Sequence, residues 1–227
     1  MDNGISVIIP VFNGRQYLSD CIRSVLDQTL AAAEVIIVDD GSEDDTPLVA
    51  KSWAPHVRYH RVAHGGPPFA RNQGLRLARN KIVAFIDSDD IWLEKKLELQ
   101  MARLSKEAEP TIVFSYVQQF VSGDLTNEEA ARLKCDPTPH AGWFSSTLLM
   151  RKSDIEKAGP FDESLQTGEF IEWCSRAQDS GIKPVVIPET VCRRRLHRNN
   201  LGRGGAASHG QYIKMPKKIM DRRREKK

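Results

Sequence analysis

Residues 5–11 read Ile-Ser-Val-Ile-Ile-Pro-Val, a nearly continuous apolar run that is rich in β-branched residues. Such a run is typical of a short strand that is buried on both faces of a parallel sheet. A second apolar run covers Val35–Val38. Between the two runs, apolar residues follow a helical spacing at Leu18, Ile22, Val25 and Leu26. The opening of the chain therefore predicts a strand, a helix and a second strand.

This alternation of strands and helices continues to about residue 105. A helix is expected to begin near Asp44-Asp45-Thr46-Pro47, because proline is tolerated in a first helical turn. Further strands are predicted at Val57–Val62 and Ile82–Ile86, with a helix over Phe69–Arg79 between them. Alternating strands and helices form parallel sheets with right-handed crossovers. The predicted fold class is therefore α/β, an open and mostly parallel sheet flanked by helices.

The second half of the chain has a looser pattern. Residues 122–142 are polar and turn-rich, which favours a short helix and a loop. The other predicted elements are a helix through Leu93, Leu97, Met101 and Leu104, strands at Thr111–Val121, Phe144–Met150 and Val185–Ile187, and a helix over Glu169–Ser180. We predict one domain with a nucleotide-binding half at residues 1–105, a second half at 106–212 and a basic tail at 213–227.

The charge of the chain is distributed unevenly. The formal net charge of the 227 residues is +3, but residues 1–189 hold 20 Lys/Arg against 28 Asp/Glu, whereas residues 190–227 hold 13 against 2. An acidic body therefore precedes a basic tail. The four cysteines include no CxxC pair, which predicts reduced thiols and no structural zinc. The chain has no apolar run of about 20 residues and no secretory pattern, so we expect a cytoplasmic protein.

Acidic residues follow the strand predicted at Ile82–Ile86, and they read Asp87-Ser88-Asp89-Asp90. In an open α/β sheet, ligands bind beyond the carboxyl ends of the strands. Carboxylates packed at such a position repel one another unless a cation neutralises them, and oxygen ligands favour Mg²⁺ or Mn²⁺. The motif therefore indicates a metal and phosphate site, with a charged turn that caps the next helix as the alternative.

A second acidic motif, Asp39-Asp40-Gly41-Ser42, ends the strand predicted at Val35–Val38. In nucleotide-binding folds, an acidic side chain at a strand end accepts hydrogen bonds from the ribose or the base. A simple turn with a helix cap is the alternative, since Asp-Gly-Ser is common turn chemistry. Because both acidic motifs follow strands of one sheet, they point to one pocket.

Four motifs, taken in order, resemble those of family 2 glycosyltransferases with the GT-A fold. They are Ser6-Val7-Ile8-Ile9-Pro10-Val11-Phe12-Asn13, Val38-Asp39-Asp40-Gly41-Ser42, Ala70-Arg71-Asn72-Gln73-Gly74 and Asp87-Ser88-Asp89-Asp90. The match is close over residues 5–105 and looser to about residue 200. The resemblance implies transfer of a sugar from a nucleotide-sugar, most often a UDP-sugar, to an acceptor that the sequence does not identify. Residues 106–212 would then form the acceptor-binding half.

The resemblance also implies which residues surround the donor. They are Pro10, Val11, Phe12, Asp39, Asp40, Arg71, Asp87, Ser88 and Arg195. Asp39 is expected to contact the base, and Arg71 to lie near the base or the diphosphate, unless it is a surface charge of its helix. Asp87 is expected to contact the ribose or the metal. Asp89 is expected to be the main ligand of Mn²⁺ or Mg²⁺.

The catalytic base is expected at the start of a helix behind the acceptor site, where the family commonly has a Glu-Asp pair. Here the helix begins Glu169-Phe170-Ile171-Glu172, so Phe170 stands where the aspartate is expected. Glu169 is therefore the predicted base of an inverting transfer, with Glu172 on the same helix face as the alternate. A helix face that Arg176 merely stabilises through Glu172 is the other interpretation.

A basic cluster, Arg193-Arg194-Arg195-Leu196-His197-Arg198, follows the last predicted strand. The resemblance implies that His197 completes the metal site or touches the diphosphate, and imidazole suits Mn²⁺ better than Mg²⁺. Arginines of the cluster, such as Arg195, would offset the charge of the leaving diphosphate. The alternative is a basic loop without a catalytic role.

Two other functions are compatible with parts of the sequence. A nucleotidyltransferase needs a triphosphate loop rich in Gly, Lys and Arg, of which Asn13-Gly14-Arg15 is at best a fragment. A nucleic-acid-binding protein needs a dominant basic surface, whereas this body is acidic, so we predict no nucleic-acid partner. The basic tail instead suits an anionic inner membrane surface, an acidic protein or a second copy in a homodimer, with a solvated, disordered terminus as the alternative.

Overall fold

The computed structural model describes residues 4–165 and 167–200. Its strands are β1 Ile5–Val11, β2 Glu34–Asp39, β3 Arg58–Arg61, β4 Ile82–Phe85, β5 Ile91–Trp92, β6 Thr111–Val121, β7 His140–Ala141, β8 Leu149–Arg151 and β9 Lys183–Leu196. Its helices are α1 Leu18–Leu26, α2 Thr46–Lys51, α3 Pro67–Leu77, α4 Lys96–Leu104, α5 Asn127–Arg132, α6 Lys152–Ala158 and α7 Glu169–Asp179. None of these helices is long and apolar enough to cross a bilayer. The predicted basic tail, residues 213–227, lies outside the described residues.

One sheet runs through the described residues in the order β3-β2-β1-β4-β8-β6-β9-β5, and β7 pairs with β6. Strands β1 to β4 are mutually parallel, as predicted from the alternation of elements. Strand β8 is antiparallel to both of its neighbours, β4 and β6, whereas β9 runs parallel to β6. The loop that enters β8 therefore lies beside the carboxyl end of β4.

The hydrophobic core occupies both faces of this sheet. All seven residues of β1 are buried, and successive side chains point to opposite faces. Val7 and Ile9 pack in one cluster with Ile22 of α1, and Ile8 packs in the other with Leu75 of α3. Burial on both faces explains why the opening strand has no alternation of apolar and polar residues.

Strand β9 is longer than the prediction of Val185–Ile187, because it continues through the basic cluster to Leu196. It pairs with β6 along its length, with irregular register near Tyr116. Its arginines remain in the sheet because their guanidinium groups pack over aromatic rings; Arg193, for example, lies 4.3 Å from the centroid of Phe120. The basic cluster is therefore part of the fold.

Helix α5 is the short helix that was predicted within the polar segment 122–142. None of its residues is buried. A capping box between Thr126 and Glu129 closes its first turn. The guanidinium group of Arg198 donates two hydrogen bonds of 2.7 Å to the Glu129 carboxylate. Local capping and one ion pair thus hold α5 against the chain that follows β9.

Lys96 of α4 is fully buried. Its Nζ lies 3.9 Å from the ring centroid of Trp92 and donates to Gln100 Oε1 at 2.6 Å. Burial lowers the pKa of Lys96 from 10.5 to about 7. The unfolded chain keeps this proton up to its higher pKa, so unfolding between about pH 7 and 10 takes up a proton. The free energy of unfolding contributed by Lys96 therefore rises with pH in that interval.

We expect Lys96→Met to flatten the pH dependence of stability. For one proton the slope difference from the wild-type protein approaches about 1.4 kcal/mol per pH unit. Urea unfolding of both proteins at pH 7, 8 and 9 measures it. The slope depends only on the difference in protons bound by the unfolded and folded states, so the lost hydrogen bond to Gln100 adds no separate contribution to it. Equal slopes in the two proteins would show that Lys96 stays charged in the folded state.

Candidate active site

The carboxyl ends of β1, β2 and β4 lie side by side at one edge of the sheet. Asp39 ends β2, and Asp87 follows shortly after β4, so the two acidic motifs meet there, as parallel strands require. Pro10 and Val11 are buried at the same end of β1. Phe12 follows them and is 45% exposed. The edge therefore carries the exposed ring of Phe12, the buried carboxylate of Asp39 and the partly exposed carboxylate of Asp87.

The carboxylate of Asp39 holds the loop after β2. Asp39 is fully buried and accepts a hydrogen bond from the backbone N–H of Ser42 at 2.8 Å. The hydroxyl of Tyr59 donates to the same carboxylate. Burial and the neighbouring Asp39 raise the pKa of Tyr59, so the phenol remains a donor. The predicted contact between Asp39 and a base stays a prediction.

Asp40 supports a stacked pair of rings at the predicted base pocket. Its carboxylate accepts hydrogen bonds from the backbone N–H groups of Gly65 and Gly66, each at 2.8 Å. His64 Nδ1 lies 2.8 Å from the same carboxylate, and the imidazole stacks on Phe12 at a centroid distance of 4.3 Å. Both rings are exposed, and an outer face of the stacked pair is the kind of surface on which nucleobases stack.

The stretch Asn13-Gly14-Arg15 does not form an open phosphate loop. The backbone N–H of Asn13 donates to Ser42 Oγ at 2.9 Å, and that of Gly14 donates to Thr46 Oγ1 at 2.8 Å. A loop that cradles a triphosphate needs such N–H groups to be free. This arrangement counts against the nucleotidyltransferase alternative.

Arg71 lies buried between the two halves of the site. Its Nη2 donates to Asp87 Oδ1 at 2.8 Å, and its Nη1 donates to Glu169 Oε1 at 2.5 Å. Burial acts to lower the pKa of Arg71, but the two carboxylates raise it, so the guanidinium group stays charged. The predicted place of Arg71 near the base or the diphosphate stays a prediction. In the structure, Arg71 bridges the end of β4 and the start of α7.

Two serines without a predicted role hold the acidic motif. The segment predicted as one strand, Phe144–Met150, consists of a 3₁₀ turn at Ser145–Thr147 followed by β8. Ser145 Oγ donates to Asp87 Oδ1 at 3.0 Å, and Ser146 Oγ donates to Asp90 Oδ2 at 2.7 Å. In the sequence, Ser145 and Ser146 appear only as two hydroxyl side chains before a strand, so their role cannot be read from it. Their role follows from the antiparallel insertion of β8 beside β4.

The residues of the second acidic motif differ in environment. Asp90 is buried, and burial together with the charges of Asp89 and Asp87 raises its pKa well above the usual range. The backbone N–H of Arg195 donates to Asp90 at 3.1 Å, so this residue supports the motif from within the protein. The side chains of Asp87 and Asp89 remain partly open to solvent, and Ser88 between them is half-buried. A ligand can therefore reach the first three residues.

His197 lies beside Asp89, as the resemblance implies. His197 Nε2 is 2.8 Å from Asp89 Oδ2, and Asn200 Nδ2 donates to the same oxygen at 3.2 Å. The backbone N–H of Asn199 donates to His197 Nδ1 at 3.2 Å. Because Nδ1 accepts this hydrogen bond, the proton of the neutral imidazole lies on Nε2 and faces the carboxylate.

Arg195 fixes the backbone of the acidic motif. Its Nε donates to the carbonyl oxygen of Asp89 at 3.0 Å, and its Nη2 donates to Asp20 Oδ2 at 3.1 Å. The guanidinium group also lies 4.6 Å from the ring centroid of Tyr17. The contact between Arg195 and a diphosphate stays a prediction.

The side chains near Asp89 fit a divalent cation that takes some of its coordinating atoms from the protein and the others from a bound ligand. Among the described residues, no group of three or more His, Cys, Asp or Glu side chains is placed to hold a metal ion by itself. Asp89 and His197 supply a carboxylate oxygen and an imidazole nitrogen 2.8 Å apart. A cation would replace the proton between them, and phosphate oxygens and water would complete its coordination. The mixed oxygen and nitrogen set suits Mn²⁺ better than Mg²⁺.

The two predicted bases of α7 face different partners. Glu169 is buried and contacts Arg71 at the site. Glu172 is also buried, and its Oε2 lies 3.1 Å from Nη2 of Arg176 on the next turn of the helix. Glu169 therefore belongs to the site, and Glu172 belongs to the stabilised helix face that was the alternative interpretation.

Comparison with known proteins identifies the family and the fold of this chain. The family model of glycosyl transferase family 2 matches residues 6–155. The fold is similar to crystal structures of S. aureus TarS. The one in complex with UDP-GlcNAc has a TM-score of 0.73 and 18% identity, over 95% of this chain and 65% of that chain. The GT-A fold that the sequence resemblance implies is thus confirmed.

Relatives in sequence support the same assignment. An uncharacterised glycosyltransferase of Rickettsia typhi is 32% identical over 85% of this chain and 64% of its own length. The putative glycosyltransferase EpsH of Bacillus subtilis is 34% identical over 67% of this chain and 48% of its own length. The chain thus spans less than two thirds of the length of these relatives. From the family match and the shared motifs, the chain belongs to glycosyl transferase family 2.

Proposed function

We propose that this protein transfers a sugar from a UDP-sugar to an acceptor hydroxyl or another nucleophile, with inversion at the anomeric carbon and with Mn²⁺ or Mg²⁺ as cofactor. One observation supports this proposal most strongly. Arg71 joins Asp87, at the donor end of the sheet, to Glu169, at the start of α7, through hydrogen bonds of 2.8 and 2.5 Å. A donor-binding group and a base are thereby held in one rigid arrangement.

The donor binds along the edge formed by β1, β2 and β4. The base stacks on the Phe12–His64 pair, and the Asp39–Ser42 loop contacts its polar edge. The family relationship and the TarS structures with UDP and UDP-GlcNAc favour uridine over other bases. Asp87 and Ser88 are accessible at the next strand end, where the ribose and the diphosphate follow the base.

Asp89 and His197 hold the metal ion in this proposal. When bound, the cation offsets negative charge on the diphosphate as it leaves. Asp90 and the Arg195 side chain keep the backbone at Asp89 in place. The protein thus presents its metal ligands without having to rearrange the acidic motif.

Glu169 acts as the base. The acceptor oxygen attacks the anomeric carbon from the face opposite the diphosphate, and Glu169 takes the proton of the acceptor. The new bond joins the acceptor oxygen to the anomeric carbon, and the bond from that carbon to the phosphate oxygen breaks and releases UDP. Arg71 orients the Glu169 carboxylate throughout.

A thermal-shift panel tests the donor assignment. We expect UDP with Mn²⁺ to raise the melting temperature more than GDP, ADP or dTDP, by about 5–10 °C at a hundredfold excess over Kd. Chelation should remove most of the UDP shift, because Asp89 contacts the nucleotide through the cation. Asp89→Asn should behave like the chelated protein, and Asp27→Asn, an exposed position at the end of α1, should not. Equal shifts for all four nucleotides would rule out uridine recognition.

A further inference from the structure

An exposed tryptophan stands on a fixed loop beside the site. Trp143 is 51% exposed, in contrast to the buried Trp92 and Trp173. One side of its indole packs on Phe114 of β6, with the ring centroids 5.0 Å apart. The rest of the indole is available to a ligand.

The loop that carries Trp143 is rigid. The backbone N–H of Gly142 donates to the carbonyl oxygen of Ser115 in β6 at 2.9 Å. Thr147 Oγ1 lies 2.8 Å from the carbonyl oxygens of both Gly142 and Phe144, and its single proton is shared between them. Both ends of the loop are therefore fastened, so the indole is presented in a fixed position at little further entropic cost on binding.

The same loop reaches the reacting groups. Ser145, two positions after Trp143, donates to Asp87 and accepts a hydrogen bond from Arg71 Nη2 at 3.2 Å. The ring of Phe114, on which the indole rests, packs edge-to-face on Phe170, the neighbour of Glu169 in α7. Trp143 is thus connected to both the donor end and the base end of the site.

The surroundings of Trp143 favour a carbohydrate. The proposed stacking surface for the base, at Phe12 and His64, lies elsewhere, because Phe12 follows β1 and β4 separates β1 from the strand that this loop enters. The chain that precedes Trp143, residues 134–140, is polar and mostly exposed, so this flank of the indole offers no apolar path for an acyl chain. A pyranose ring offers C–H groups on one face and hydroxyls at its edge, which match a π surface with polar neighbours.

We propose that Trp143 is the stacking platform for a pyranose ring of the acceptor, and therefore that the acceptor is a carbohydrate. This inference rests on the proposed function, because it assigns the second substrate of the same site. It makes Trp143 a binding residue that sets acceptor specificity and leaves donor recognition to the other half.

Intrinsic fluorescence gives a direct test. The protein, in the presence of UDP and Mn²⁺, is titrated with cellotriose, maltotriose and N,N′,N″-triacetylchitotriose, with sorbitol and octanol as controls. We expect at least one trisaccharide to change the tryptophan emission and neither control to do so. Trp143→Phe should lose this change. Trp53→Phe, which removes a half-buried tryptophan bonded to Ser19, should retain it.

Affinity measured by calorimetry completes the test. For the trisaccharide that responds, we expect Trp143→Ala to weaken binding about tenfold and Trp143→Phe to restore most of it, because another ring replaces the indole. The inference is overturned if no trisaccharide changes the emission, if octanol does so equally, or if Trp143→Ala binds as tightly as wild type. If UDP with Mn²⁺ still raises the melting temperature of the same sample as expected, such a failure concerns the acceptor alone. A missing UDP shift would instead contradict the proposed function.

Discussion

Glu169→Gln should lower kcat by about 10²–10⁴-fold while the affinity for UDP with Mn²⁺ stays nearly unchanged. The amide keeps the shape of the side chain and can still accept a hydrogen bond from Arg71, but it cannot take the proton of the acceptor. Because a base acts in the chemical step, the loss appears in turnover and not in nucleotide binding. Turnover measured as UDP release and affinity measured by calorimetry separate the two quantities.

Glu172→Gln is the matched control for this prediction. Glu172 lies on the same helix face, but it pairs with Arg176 in a buried contact. Its substitution leaves Arg176 without its carboxylate, so we expect a lower melting temperature and a much smaller change in kcat. If Glu172→Gln were inactive while Glu169→Gln turned over normally, the base would be Glu172.

Arg71→Gln should have the largest effect on stability. Arg71 neutralises Asp87 and Glu169, and its removal leaves the buried Glu169 carboxylate without its partner, whereas Asp87 is partly open to solvent. Breaking such a buried pair typically costs about 3–5 kcal/mol. Arg71→Lys should recover only part of this, since one ammonium group cannot reproduce the fork that contacts both carboxylates. Urea unfolding of the three proteins at pH 7 measures the differences.

A double substitution identifies the source of that loss. In Arg71→Gln/Glu169→Gln the buried carboxylate at α7 is also gone, so the protein should be more stable than Arg71→Gln alone. Arg76→Gln, on the same helix but at an exposed position, should have little effect on stability. Strict additivity of the Arg71 and Glu169 substitutions would mean that the two side chains do not interact in solution.

The donor half could be predicted closely from the sequence. Its strands are short, buried and parallel, so each appears as a compact apolar run, and the chain crosses to the next strand through a helix. In that arrangement a residue just after a strand lies at a known edge of the sheet. This is why Asp39 and Asp87 could be assigned to one pocket before the structure was known.

The second half could be predicted less well because its contacts join distant segments. Strand β8 has only three residues, which are too few to show the alternation of a strand. Its antiparallel placement beside β4 brings Ser145 to Asp87. The long β9 was missed because its arginines suggested solvent, although aromatic rings cover them. The spacing of residues in the sequence does not show that β8 pairs with β4 and β6, or that β9 pairs with β6.

Phe170 shows how a departure from a family pattern can have a structural reason. It occupies the position where an aspartate is expected, and it is buried among Phe114, Phe161 and Trp173. A charged side chain in that aromatic cluster would lose its hydration without a partner. The residue at position 170 therefore belongs to the core, and the adjacent Glu169 is the carboxylate that reaches the site.

The exposed helix α5 is a segment whose sequence and length can vary between relatives. Because α5 contributes nothing to the buried core, changes in its sequence or length have little effect on folding, and doubling the length of a flexible loop costs only about 0.6 kcal/mol. Arg198 ties this segment to the chain next to His197, so new side chains there would still border the site. Selection can therefore vary this segment between relatives while the donor machinery is inherited intact, which makes it a natural place for grafting experiments.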